Sequence, residues 1–151
     1  MRARGFAGSG EAHLRAVGVR HRVYVLGMVL PAIRSELTTT VTGGLAEASS
    51  RVSAVLANFG ARRYGSEGGW SVYSIGSRAR FRALGLFGPG AHRRLPIKAR
   101  TRFDVDRDVV VVVRIDLEND EGPYLTRLPA VEVAYRRAFS RIEDAVRGAL
   151  S

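Results

Sequence analysis

Near the C-terminus, Val131, Tyr135, Ala138, Ile142, Ala145 and Ala149 recur at spacings of three and four. Arg136, Arg137, Glu143 and Arg147 fall between them. That is the period of a helix with one apolar face. Pro129 suits the first turn of such a helix, where a missing N–H costs nothing. The spacing predicts a helix of about twenty residues from Pro129 onward. Such a helix gains most of its stability from the surface its apolar stripe covers. The rest of the chain must therefore supply a broad apolar face.

Strands are the main candidates for that face. Glu36–Val41 places Leu37, Thr39 and Val41 on one side and is rich in β-branched residues, which predicts a short strand. Leu45, Ala48, Val52, Val55, Leu56 and Phe59 then predict a helix over Leu45–Phe59, closed by Gly60. After Gly60 the period falls to two. Ala61–Tyr64, Trp70–Ile75, Arg78–Phe87, Ile97–Val105 and Val109–Glu118 read as strands, with Gly65–Gly69, Gly88–Pro96 and Asp106–Asp108 as connections. The run Val109–Val113 is apolar on both faces, as expected of a strand inside a sheet. Short connections favour an antiparallel meander. The expected fold class is α+β: five or six strands packed on a long C-terminal amphipathic helix, with one shorter helix after the first strand.

The chain has 151 residues and no cysteine, which excludes disulfides, thiolate nucleophiles and cysteine-held metals. Its length suits a single domain. Residues 1–27 hold five arginines and one acid, with scattered glycines and no period, and read as a disordered basic tail or an upstream misassigned start. Residues 28–151 read as one domain. Val23–Ile33 is an apolar run of eleven residues, too short for a bilayer span and followed directly by Arg34 and Glu36 rather than a cleavage site. The expectation is a cytoplasmic protein with no membrane span. The net charge of +10 attracts anions through long-range fields.

The element order over Ser35–Leu150 resembles the helix-grip fold of START and polyketide-cyclase-like proteins. The resemblance is carried by the short strand Glu36–Val41 ahead of a helix, the antiparallel strands and the amphipathic last helix Val131–Ala149. It implies a curved sheet around the last helix, with small apolar ligands held between them. No motif accompanies the resemblance, so it carries no functional residue over.

Two sets of residues are candidate sites. Arg78, Arg80 and Arg82 alternate along one predicted strand, and Lys98, Arg100 and Arg102 along the next. If those strands pair, six cations share one face and could hold a phosphate backbone. Seven acids between Asp104 and Glu121 could instead pair with that ladder. The aromatic set Trp70, Tyr73, Phe81, Phe103, Tyr124, Leu125 and Tyr135 could line an apolar pocket or simply fill a core. Tyr124 and Leu125 sit where a pocket mouth lies in a helix-grip protein.

Neither Asp104–Asp108 nor Asp116–Asp120 matches a calcium loop, and the histidines His13, His21 and His92 show no catalytic spacing. No cofactor, metal or catalytic residue is expected. The leading expectation is a non-catalytic helix-grip domain that binds a small apolar ligand or a protein partner. The alternative is an anion or nucleic-acid binder working through the arginine ladder. A cyclase or hydratase would rest on fold analogy alone.

Overall fold

The apolar stripe near the C-terminus is helix α3 (Pro129–Leu150), and it shares one core with a five-stranded antiparallel sheet. The computed structural model describes residues 30–86, 90–106, 109–122 and 128–151. The elements are β1 (Arg34–Thr42), α1 (Leu45–Asn58), β2 (Arg62–Glu67), β3 (Trp70–Ile75), α2 (Arg78–Leu84), β4 (Ile97–Asp106), β5 (Val110–Asn119) and α3. A 3-10 turn, Ala91–Arg94, precedes β4. Strands β2 to β5 form a meander, and β1 returns to pair with β5, giving the order β1-β5-β4-β3-β2. The basic N-terminal segment, residues 1–27, lies outside the described residues. Among the described residues, no helix is long and apolar enough to cross a membrane.

The inner face of the sheet carries the core. Leu37, Ile75, Ile97, Ala99, Val111, Val113, Ile115 and Leu117 are buried there, under Val52 and Leu56 of α1 and Tyr135, Phe139, Ile142, Val146 and Leu150 of α3. β5 lies between two partners, as its apolar run requires. Val111 and Val113 are buried inside, and Val110 and Val112 are half-buried on the outer face.

The stripe of α3 is turned from the expected one. Phe139, Val146 and Leu150 are buried while Ala145 and Ala149 are half-buried, because the larger side chains take the interior. Glu143, expected to face water, is half-buried and accepts a hydrogen bond from Ser35 Oγ at 2.5 Å.

Residues 78–87 were expected to form a strand, and here the structure corrects the sequence reading. Arg78–Leu84 is a helix. Ser77 Oγ accepts from the Arg80 N–H at 3.4 Å, Phe81 N–H donates to Ser77 O, and Gly85 closes the helix with φ 55°. The alternation at Arg78, Arg80 and Arg82 is one of charge only. The apolar pair Phe81 and Leu84 stands three apart, and alanine, arginine and leucine all favour helix. The sheet therefore has five strands.

Two connections have physical causes that fix their geometry. α1 ends in a Schellman motif: Ala61 N–H donates to Leu56 O at 3.0 Å and Gly60 N–H to Ala57 O at 2.8 Å, with Gly60 at φ 78°. After β3, Gly76 sits at φ 73°, and a Cβ there would lie 2.2 Å from the Leu95 carbonyl oxygen. Only glycine permits this approach of β3 to the segment before β4.

Candidate functional site

Register separates the residues of the sheet into two surfaces. On the outer face, β4 offers Lys98, Arg100 and Arg102, opposite Glu118, Asp116 and Arg114 of β5. Arg34 and Glu36 of β1 stand opposite Glu118 and Asp116 on the other side. Arg62 of β2 pairs in register with Ser74 and Glu67 with Trp70. The outer face thus carries Arg34, Arg62, Lys98, Arg100, Arg102 and Arg114 against Glu36, Glu67, Asp104, Asp106, Asp116 and Glu118. Positive and negative charges balance.

Most of these groups are engaged. Arg34 meets Glu118 at 3.2 Å, Arg100 meets Asp116 at 3.3 Å, Arg102 meets Asp104 at 3.0 Å, and Lys98 reaches Glu67 at 4.0 Å. Trp70 lies on this face, with the Arg100 guanidinium 5.9 Å from its ring centroid. Burial pushes the Asp116 carboxyl above the usual carboxylate range, against the opposing pull of Arg100.

The six-cation ladder is therefore not one surface. Arg78, Arg80 and Arg82 ride on α2, away from the outer face. Arg78 bonds both the carboxylate and the carbonyl of Asp120, and the hydrogen bond to that carboxylate holds its guanidinium above its ordinary range. Arg82 donates to Glu121 O at 3.2 Å. These two arginines, four apart, tie α2 to the turn that follows β5. The guanidinium of Arg80 has no hydrogen bond or ion pair among the described residues, and its residue is exposed. The excess positive charge of the described chain thus lies around α2 and the 3-10 turn rather than on the sheet.

The aromatic candidates fall in three places. Phe81 and Tyr135 pack edge to face at 6.4 Å, Tyr135 and Phe139 stand 5.9 Å apart, and Tyr135 Oη donates to Pro96 O at 3.3 Å. This is core packing between α2, α3 and the residue that leads into β4. Trp70 belongs to the outer face. Tyr73 and Phe103 belong to the inner face, Tyr73 beside Ser53 of α1 and Phe103 against the edge of the core. Tyr124 and Leu125 lie outside the described residues.

Sequence reasoning missed a row of hydroxyls on that same inner face. Ser66, Ser71 and Thr101 are register partners across β2, β3 and β4. Ser66 is exposed, Ser71 half-buried and Thr101 1% exposed, so the row runs from solvent into the interior. The Thr101 hydroxyl has no hydrogen-bond partner among the described residues. One residue pair along, the Tyr73 hydroxyl and Ser53 Oγ of α1 are 3.4 Å apart. Beyond Ser71↔Thr101, β4 continues past the end of β3, so Phe103 is only partly buried and Val105 is 58% exposed. Only the strand register brings these hydroxyls together, which is why no linear motif signals them.

A separate depression at the start of α1, lined by Val41, Thr42, Gly43, Gly44, Glu47, Ala48 and Arg51, encloses about 10 Å³, roughly the space of one water. Among the described residues no group of three or more histidine, cysteine or acidic side chains could hold a metal ion.

No protein-family model matches the chain, and no curated protein does. Among solved structures, the chain is similar to the Zhui aromatase/cyclase from Streptomyces sp. R1128, with 10% identity over 80% of this chain and 92% of that one, at a TM-score of 0.45. No residue role is carried over from it.

Proposed function

We propose that the chain is a binding domain that takes a small, largely apolar molecule on the inner face of its sheet, beside the flank of α1. The observation that carries this reading is the Thr101 hydroxyl, buried and without a partner among the described residues, at the end of the Ser66–Ser71–Thr101 row. A buried hydroxyl left unsatisfied costs about 1–3 kcal/mol, so such groups call for an explanation, often a polar atom from outside the fold. The neighbouring Phe103 and Val105 supply apolar contact for the rest of such a molecule, and their incomplete burial leaves that contact open.

Of the aromatic candidates, Tyr73 and Phe103 fit this reading. Phe81 and Tyr135 support the fold from the other end of the core. Anion binding through Lys98, Arg100 and Arg102 has less behind it, because acids of equal number share their face and Arg100 is engaged by both Asp116 and Trp70.

The test is fluorescence titration with N-phenyl-1-naphthylamine, an uncharged apolar probe with a single N–H, so that the net charge of +10 does not attract it. Wild type should take it up saturably, and Phe103→Arg should weaken uptake about tenfold while the variant, at some cost in stability from its half-buried site, still melts cooperatively above the assay temperature. Equal uptake by both proteins would overturn the assignment.

A further inference from the structure

The two edges of the sheet are defended differently. β2 carries Arg62, Arg63 and Glu67 within six exposed residues, and its register shifts between Arg63 and Gly65. Charges and a bulge are the usual means of keeping an edge strand from pairing. β1 has neither along most of its length. Its nine residues hold unbroken register with β5, and from Leu37 to Thr42 it contains no charge, proline or glycine. Four of those six residues are threonine and one is valine, all suited to extended backbone.

The hydrogen bonds at the two ends of β1 set its phase. Asn119 N–H donates to Ile33 O at 3.0 Å, and Gly43 N–H donates to Val109 O at 2.9 Å. Alternate residues of an antiparallel strand direct both main-chain groups to the same side. Odd-numbered residues of β1 therefore bond β5, and Arg34, Glu36, Thr38, Thr40 and Thr42 turn their N–H and C=O outward. Among the described residues nothing pairs with that edge.

We propose that this edge pairs antiparallel with the same edge of a second copy, about a two-fold axis at Thr38. In that register Thr38 meets Thr38, Thr40 meets Glu36, and Thr42 meets Arg34 of the other copy. Every outward N–H and C=O of the strand is bonded, two bonds per opposed pair. No like charges meet. Moving the axis to Glu36 would oppose Glu36 to itself and leave Thr40 and Thr42 beyond the pairing. A two-fold contact uses one patch on both partners and closes on itself, and the charged, bulged β2 edges leave the resulting ten-stranded sheet without further growth. One strand pair is a small interface, so the dimer dissociates on dilution.

Sedimentation equilibrium on the full chain tests this. The 16.4 kDa mass should double reversibly with concentration. Thr40→Lys, facing Glu36 of the other copy, should tighten the dimer, and Thr40→Glu should loosen it, each by about threefold or more. This order is opposite to that set by overall repulsion, because a chain of net charge +10 would self-associate less readily with one more lysine. Thr38→Pro removes an outward N–H that the monomer does not use, and should abolish the dimer while the dilute protein still melts cooperatively. If that variant misfolds, the Thr40 pair still decides. A monomer at all concentrations, a dimer indifferent to Thr40, or the reverse order of the two Thr40 variants would overturn the proposal.

Discussion

Arg102 stands directly opposite Arg114 across the β4–β5 ladder, and one carboxylate serves both: Asp104 lies 3.0 Å from Arg102 and 3.9 Å from Arg114. Like charges opposed across a ladder are destabilising, and the shared acid offsets that. Asp104→Ala should therefore lower stability by about 1 kcal/mol, the upper range for exposed pairs. Added salt should shrink the deficit by screening the two guanidinium groups. Denaturant unfolding at low and high salt is the check, and a deficit that salt does not reduce would argue against the repulsion.

Asp116 is expected to behave oppositely to most acids in pairs. Burial raises its folded carboxyl pKa, so folding favours the protonated form. Its contribution is fully present below the unfolded carboxylate value, about 3.9, and is lost as pH rises through the folded value. Asp116→Asn should thus be as stable as wild type or more so at neutral pH, with the difference vanishing in acid. Arg100, still held over Trp70, keeps one contact in the variant. Thermal melts of both proteins across acid and neutral pH decide the sign.

Gly76 should tolerate no side chain. Its φ of 73° already disfavours alanine, and a Cβ would collide with the backbone oxygen of Leu95 at 2.2 Å. A flexible side chain could yield, but backbone cannot. Gly76→Ala should cost several kcal/mol, more than the roughly 0.4–1 kcal/mol at stake when glycine is replaced at a permissive site. A loss under 1 kcal/mol would mean that the β3–α2 connection is looser than described.

Ile142 is 1% exposed, at the centre of the buried stripe of α3. Truncation to alanine should cost about 2–5 kcal/mol. Ala145→Ser, on the same helix but only half-buried, should cost under about 1 kcal/mol. Equal costs would mean that the helix is turned back to the phase its alanines suggest.

The parts of the fold legible in the sequence were those where one period dominates. The stripe of α1, the doubly apolar β5 and the amphipathic α3 all follow from spacing. Arg78–Leu84 did not, because alternating arginines imitate a strand while the capping Ser77 and the pair Phe81 and Leu84 speak for a helix. Phase within α3 was also hidden, since alanine spacing fits two adjacent stripes and only packing selects Phe139 and Val146. The site was the least legible part. Ser66, Ser71 and Thr101 come together through three strands and one bulge, and no linear pattern encodes that register.

Chemical-shift mapping during titration with uncharged N-phenyl-1-naphthylamine locates the ligand on the inner face beside α1 or elsewhere. The largest shifts should fall at the amides of Ser53, Ser71, Tyr73, Thr101 and Phe103, with the Trp70 indole and Arg100 guanidinium N–H signals on the opposite face nearly still. Shifts centred instead on the Trp70 indole and the Arg100 and Arg102 guanidinium signals would contradict that placement and put the binding surface on the outer face.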